Sequence, residues 1–197
     1  MGARLFTAIL PPAWVMDELG GWLEPRREAG AEVWRWTRPE GWHLTTAFMA
    51  SVPASAQQLL VEGLGESVAR AAPFEVRISG ALCFPHAAKA RALAMAVTEG
   101  KESLAALART CRGVATRAGA SPDGANFVGH LTLARARKPL DATKWVHVVD
   151  AFPGWTWRVQ QLVLVESHLA DRGNRYEVLE RFTLAGEGAL AGGALDL

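Results

Sequence analysis

The sequence predicts an α+β fold, in which two pseudo-symmetric lobes of antiparallel strands, with helices on their outer faces, meet across a central cleft. Three observations predict it. Strand and helix patterns alternate in both halves of the chain, two nearly identical pentapeptides at 43–47 and 130–134 are separated by about half its length, and no long polar linker divides the halves. We therefore expect one two-lobed domain over residues 1–185.

Breaker residues divide the first half of the chain. The Pro11-Pro12 pair ends an apolar strand, and Pro12 suits the first turn of a helix. The Gly20-Gly21 pair and Pro25 weaken the second half of that helix, and Pro73 ends the next one. In chain order the predicted elements are strand 4–10, helix 14–23, strands 33–37 and 43–50, helix 56–70 and strand 74–84.

The second half repeats this alternation. Gly119 ends a helix rich in alanine and leucine, and Asp141 suits the N-cap of the last helix. In chain order the predicted elements are strand 91–98, helix 103–118, strand 130–135, helix 141–152, strand 157–166, a turn at 171–174 and strand 176–184. Residues 186–197 are rich in glycine and alanine, so we expect a flexible tail there.

Composition limits the classes of function. Half of the 197 residues are apolar, and the formal net charge of +1 argues against binding nucleic acid by bulk electrostatics, although a local cleft could still read one end of a polynucleotide. Cys83 and Cys111 lack metal-ligand spacing, so we expect reduced thiols. With no signal peptide and no apolar run of membrane-spanning length, the sequence predicts a cytoplasmic protein without a membrane partner.

The two pentapeptides carry the chemistry. Residues two apart on a strand project from the same face, so His43 aligns with Thr45 and His130 aligns with Thr132. If the two strands face each other, two imidazoles supply an acid and a base, and two hydroxyls hold an anion, which suits metal-free phosphoester cleavage. The alternative is two strand histidines that bond backbone carbonyls and recur by chance.

The two His-x-Thr motifs at this separation resemble the 2H phosphoesterase superfamily and, more narrowly, the RNA 2′,3′-cyclic phosphodiesterases, historically called 2′-5′ RNA ligases. Residues 36–42, which precede the first motif, and residues 164–167 are also similar to that family. The resemblance implies metal-independent hydrolysis of an RNA-terminal 2′,3′-cyclic phosphate to a 2′-phosphomonoester, without a cofactor. It suggests His130 as base and His43 as acid, although the sequence alone leaves the roles reversible.

Arg135 resembles the phosphate-side arginine of the same family. Five residues beyond His130, however, a regular strand points it away from the cleft, unless the strand bends or the long side chain wraps around; otherwise it is a solvated arginine at the strand end. The chain departs from the family pattern at three other positions. It has Thr46 where leucine is usual, Gly129 where proline is usual, and Ala94 where tryptophan is common.

Residues outside the motifs are expected to be structural. We expect His86, His147 and His168 at the surface, and for Phe48 and Phe84 we favour buried packing over base stacking. The expected partners are RNA ends or nucleotides that bear a 2′,3′-cyclic phosphate, and we expect a monomer. Two other functions stay open: a phosphodiesterase or ligase acting on 2′-5′ oligonucleotides or on small cyclic nucleotides, and a non-catalytic module that binds RNA ends.

Overall fold

The structure, a computed structural model, describes residues 2–124, 126–169 and 175–187 and confirms the α+β class. Within these residues nine β-strands form two antiparallel sheets. The strands are β1 Ala3–Ile9, β2 Trp34–Trp36, β3 Leu44–Val52, β4 Phe74–Phe84, β5 Ala90–Glu99, β6 His130–Leu140, β7 Trp155–Val159, β8 Gln161–His168 and β9 Arg175–Thr183. The helices are α1 Ala13–Ala29, α2 Ala54–Ala69, α3 Lys101–Arg117 and α4 Thr143–Asp150.

The two sheets do not correspond to the two halves of the sequence. Sheet A has the strand order β3-β1-β8-β9, and sheet B has the order β2-β6-β5-β4-β7. Sheet A thus combines strands from both ends of the chain, whereas sheet B holds most of the middle. Each sheet carries one motif strand, β3 in sheet A and β6 in sheet B.

Helices cover the outer face of each sheet. Helix α3 packs on β3 and α2 on β9, whereas α4 packs on β4. Helix α1 joins the sheet B side, where Nε1 of Trp155 on β7 donates a hydrogen bond to Glu18 at 2.6 Å. The core between sheets and helices is apolar and includes Leu5, Leu60, Leu93 and Leu164. The faces of the two sheets that the helices do not cover line the cleft.

The predicted strand 157–166 is wrong as a single strand. The structure divides this stretch at Gln160 into β7, which pairs with β4 in sheet B, and β8, which pairs with β1 in sheet A. The apolar run is continuous because both strands contribute buried residues to one core. Periodicity alone therefore does not reveal the change of sheet.

Helix α1 is longer than the sequence predicts and contains Pro25. Its buried residues Val15, Leu19 and Leu23 hold it against the core, and the Arg26 guanidinium donates a hydrogen bond to the Trp22 carbonyl at 2.5 Å. Burial of the apolar face outweighs the local cost of the proline. Helix α4 starts at Thr143, where the Asp141 carboxylate accepts a hydrogen bond from the backbone N–H at 2.9 Å.

Both cysteines are free, as expected, and both are buried, which raises the pKa of each thiol. Of the expected tail, only 186 and 187 are described, and the Gly186 N–H donates to the Ala71 carbonyl at 3.0 Å. The remaining tail residues and the predicted turn 171–174 lie outside the described residues. Among the helices of the described chain, none combines the length and apolar character needed to cross a membrane.

Candidate active site

Both motif strands contain a β-bulge at the fourth residue of the motif. In β3, Thr45 pairs with Ala8 and Ala47 with Thr7, so Thr46 has no partner residue on β1. In β6, the corresponding unpaired residue on the β5 side is Leu133. A bulge inserts one extra residue and reverses the alternation of side chains beyond it. The two motifs therefore share an irregular backbone as well as a sequence.

His43 lies immediately before β3 and is flanked by aromatic rings. Its ring centroid is 4.7 Å from that of Phe6 and 5.5 Å from that of Tyr176, the second in an edge-on arrangement. In the described part of the chain, its imidazole has no hydrogen-bond partner. Phe6 and Tyr176 thus hold the ring by packing, which leaves its nitrogens available to a ligand.

His130 begins β6 and is held by a hydrogen bond. Its Nδ1 lies 2.7 Å from the Val128 carbonyl oxygen, and because a carbonyl only accepts, Nδ1 carries the proton. The neutral ring then has its lone pair on Nε2. The Gly129 carbonyl accepts a bond from Val97 N–H at 3.0 Å, which fixes the approach of this segment, and the Phe84 ring lies 4.8 Å from the imidazole.

Thr45 and Thr132 are both half-buried, and in the described residues neither hydroxyl has a hydrogen-bond partner. Thr132 lies opposite Ala94 on β5, and this alanine is fully buried. Buried hydroxyls are usually paired, so two unpaired ones near the histidines are well suited to hold an anion.

The bulge removes the difficulty that regular alternation poses for Arg135. Leu131, Leu133 and Ala134 are all buried, so the alternation breaks between the last two, and Arg135 returns to the face that carries His130. Its charge adds to burial in lowering the pKa of both His43 and His130, which agrees with a position near both imidazoles.

The electrostatics of the cleft favour neutral imidazoles. Burial is the largest cause that lowers the pKa of His43 to about 4, and the nearby charges of His130 and Arg135 lower it further. Burial also lowers the pKa of His130, while its bond to Val128 opposes that shift. Three groups that are cationic when protonated therefore share one site, and a bound anion relieves their mutual repulsion.

An apolar surface, which we call the apolar wall, covers the cleft face of sheet A. It is separate from the main core. Its members are Phe6, Ala8, Leu10, Phe48, Val163, Val165 and Tyr176. The Arg4 guanidinium lies 4.6 Å above the centre of the Phe48 ring. Its aromatic members Phe6 and Tyr176 lie against His43, and half-buried aromatic side chains beside a site can stack on nucleobases.

Phe48 and Phe84 differ from the expectation of buried packing. Both are only half-buried, Phe48 in the apolar wall and Phe84 against His130, so both border the cleft. His86 and His147 are exposed as expected. His168 is half-exposed at the end of β8, where it lies 3.7 Å from carboxylates of Glu166 and Glu177.

Sequence reasoning missed two features around the first motif. One is the aromatic pair that holds His43. The other is a buried polar cluster behind β3, in which the hydroxyls of Thr7 and Thr46 are 2.6 Å apart and Thr46 donates to the Cys111 sulfur at 3.7 Å. The only sequence signal for this cluster is a threonine at the position where the second motif has Leu133. In the described residues, no three His, Cys, Asp or Glu side chains form a group able to hold one metal ion.

Comparison with known proteins agrees with this arrangement. The family model of the 2′-5′ RNA ligase superfamily matches residues 27–171. An RNA 2′,3′-cyclic phosphodiesterase of Thermus thermophilus is 33% identical over 196 residues, which cover 93% of this chain and 91% of that protein. A protein of the same description from Aquifex aeolicus is 27% identical over 157 residues, or 77% of this chain and 82% of that protein.

Solved structures agree as well. The crystal structure of E. coli LigT complexed with 3′-AMP has a TM-score of 0.72 and 26% identity, and the match covers 93% of this chain and 98% of that one. The crystal structure of a Thermus thermophilus protein has a TM-score of 0.73 and 29% identity, covering 94% of this chain and 100% of that one. The chain therefore belongs to the 2′-5′ RNA ligase superfamily and is an enzyme of the 2H phosphoesterase type.

Proposed function

We propose that this enzyme hydrolyses the 2′,3′-cyclic phosphate at the end of an RNA and leaves a 2′-phosphomonoester, with His43 and His130 as the acid–base pair. The observation that carries this proposal is the contact between β3 and β6, the strands that carry the two motifs. In keeping with that contact, the charges of His130 and Arg135 add to burial in lowering the pKa of His43. The names of the relatives, which are RNA 2′,3′-cyclic phosphodiesterases, support the choice of substrate.

His130 acts as the general base. Its Nδ1 proton is held by the Val128 carbonyl, so Nε2 presents a lone pair to water. The same hydrogen bond stabilises the imidazolium that forms when His130 accepts the proton, because a carbonyl dipole favours the charged ring. His130 therefore takes a proton from the water as its oxygen bonds to phosphorus.

His43 acts as the general acid. With its pKa at about 4 the free imidazole is neutral at pH 7, but an anionic phosphate beside it favours the protonated form. As the bond between phosphorus and the ribose 3′ oxygen breaks, His43 gives its proton to that oxygen. The products are a 3′ hydroxyl and a 2′-phosphomonoester, and proton exchange with solvent restores both histidines.

The remaining residues bind and orient the substrate. The hydroxyls of Thr45 and Thr132 donate to the non-bridging phosphate oxygens, and Arg135 balances the charge that develops on them. The terminal base packs on the apolar wall, beside its half-buried aromatic side chains Phe48 and Tyr176. No step in this scheme requires a metal, because two imidazoles transfer the protons and three donors hold the anion.

The test is to identify the product of the purified enzyme. With 2′,3′-cyclic CMP and with an oligoribonucleotide that ends in the same group, phosphorus NMR should detect one product, the 2′-phosphate, since one acid on one side of phosphorus fixes the leaving oxygen. Turnover should persist after exhaustive chelation. A 3′-phosphate or a mixture of isomers contradicts the assigned roles. Loss of turnover on chelation, restored by zinc or manganese, contradicts the metal-free mechanism, and binding without turnover identifies a non-catalytic module.

A further inference from the structure

Three arginines form a row on the cleft face of sheet B. Arg35 on β2 lies directly opposite Arg135 on β6, and Arg137 lies two residues further along β6. Arg35 is flanked by Trp34 and Trp36, whose rings pack edge-on against Trp145 of α4 on the outer face, so Arg35 projects from the cleft face. We call Arg35, Arg135 and Arg137 the arginine row.

No carboxylate among the described residues lies within ion-pair distance of the arginine row. All three side chains are exposed, and within the described residues none forms an ion pair with a carboxylate. Like charges directly opposite each other on neighbouring strands destabilise a sheet. The chain carries a net charge of only +1, so this row is a local concentration of charge on an otherwise balanced protein. The arrangement favours a bound polyanion.

The three arginines of the row lie at different distances from the histidines. Strand β6 runs from His130 towards Leu140, so Arg137 lies on the far side of Arg135 from the catalytic histidine, and its N–H continues the ladder to β2 by donating to the Val33 carbonyl at 3.0 Å. Arg135 acts on both imidazoles, whereas neither Arg35 nor Arg137 is among the charges that shift them. Arg135 therefore serves the reacting phosphate, and the other two are left for a second anion beyond it.

We propose that Arg35 and Arg137 bind the phosphodiester that joins the terminal nucleoside to the rest of the RNA. This inference rests on the proposed function, because it takes the cyclic phosphate to lie between the two histidines. Guanidinium groups bind phosphate oxygens in pairs of hydrogen bonds, and an exposed row of them follows a single-stranded backbone. The preferred substrate is then an RNA chain of two or more nucleotides, not a free cyclic mononucleotide.

Three cytidine substrates isolate this second phosphate: 2′,3′-cyclic CMP, the same molecule with a 5′-phosphate, and the dinucleotide that ends in the same cyclic group. We expect Arg35→Gln and Arg137→Gln each to lower kcat/KM roughly tenfold for the last two substrates and to leave the first unchanged. For the wild type, log(kcat/KM) should fall with log salt more steeply for the dinucleotide than for cyclic CMP, by a slope of about 0.7 for each extra phosphate contact. Each variant should reduce this difference.

The control is Arg109→Gln, which removes an exposed arginine from α3 on the outer side of sheet A. It should behave as the wild type on all three substrates. An equal loss of kcat/KM on all three substrates for Arg35→Gln would assign Arg35 to the reacting phosphate. No loss of kcat/KM on any substrate would show that Arg35 does not bind the RNA. Either result would overturn the second phosphate site. The thermal midpoint of Arg35→Gln should stay constant or rise, since repulsion is relieved, and a fall would indicate a structural role and count against the proposal.

Binding measurements keep this proposal testable if no substrate is hydrolysed, a result that would contradict the proposed function alone. Calorimetry with cytidine 2′-phosphate and with cytidine 2′,5′-bisphosphate requires no turnover. The wild type should bind the bisphosphate more tightly, and Arg35→Gln should lose about tenfold of that affinity without losing affinity for the monophosphate. Equal affinities of the wild type for the two ligands would overturn the second phosphate site.

Discussion

Strands β3 and β6 carry the same motif on the same irregular backbone, yet they provide different surroundings. Each has a bulge at its fourth motif position, filled by Thr46 in one and Leu133 in the other. The residue that returns to the cleft two positions later is Phe48 in β3 and Arg135 in β6. One motif thus ends in an aromatic ring and the other in a cation. The comparison teaches that one motif on one kind of bulged backbone can carry different neighbours, and that these neighbours set the environment of each histidine.

We expect the largest loss of activity when either histidine is replaced. His43→Ala and His130→Ala should each lower kcat by about 10²- to 10⁴-fold, the range that general acid–base catalysis supplies, with the circular dichroism spectrum unchanged because both rings lie in the cleft. A cyclic substrate with sulfur in place of the 3′ bridging oxygen separates the roles, since a thiolate leaves without a proton. His43→Ala should recover much of its activity on this substrate, and His130→Ala should not. Recovery in the opposite variant would exchange the acid and the base.

The two threonines should have equal effects if the motifs hold the phosphate symmetrically. Thr45→Val and Thr132→Val keep the shape of the side chain and remove the donor, so each should lower kcat by about 10²-fold, with little change in KM. Stopped assays across substrate concentration measure both constants. A change confined to KM would mean that the hydroxyl binds the ground state and not the transition state.

Arg135→Gln tests the difference between Phe48 and Arg135, the residues that follow the two bulges on the cleft face. We expect kcat/KM to fall by about 10- to 100-fold, since a hydrogen bond to a charged group contributes about 1.5–3 kcal/mol. Burial is the main cause of the lowered pKa of His43 and of His130, and the guanidinium adds to it. Its removal should therefore raise both pKa values part of the way towards 6.5 in the free enzyme. NMR titration of the imidazoles checks the sign, with Arg109→Gln as the charge-matched control. Unchanged titration midpoints would place Arg135 away from the histidines.

The smallest effect concerns the bulge residue Thr46. Thr46→Val removes the 2.6 Å partner of the buried Thr7 hydroxyl, so the free energy of unfolding in urea should fall by about 1–3 kcal/mol. The double variant Thr7→Val/Thr46→Val removes both partners and should be more stable than the single one. Turnover should change little in either, since the pair lies behind the cleft. A large loss of kcat without loss of stability would instead give Thr46 a role in positioning Thr45.

Much of the candidate site could be predicted because its motifs are short stretches of consecutive residues. Two matching pentapeptides identify the histidines and threonines, and strand alternation gives their common face. Arg135 could not be placed by alternation, because a bulge depends on pairing with strands that are distant in sequence. The adjacent apolar pair Leu133-Ala134, followed by a charged residue, is the signal that a bulge interrupts the strand.

The fold was predictable to a similar degree. Alternating patterns predicted the strands and the α+β class, but not which sheet each strand joins. The division of 157–166 at Gln160 follows from two sheets that share one core, and the passage of α1 through Pro25 follows from burial of Leu19 and Leu23. Both outcomes depend on tertiary packing, which outweighs local preference. The same holds for Phe48 and Phe84, whose apolar character alone indicated the interior.

The order of strands in sheet A has a consequence during synthesis of the protein. Strand β1 is translated before both of its neighbours, β3 and β8, and β8 follows it only near the end of the described chain. A nascent chain that stops before Gln161 already contains both histidines but lacks Val163, Val165 and Tyr176 of the apolar wall. Contacts between such distant segments form slowly, because a long loop must close before they are made. The apolar wall beside His43 is therefore complete only after the last strands of sheet A have been translated.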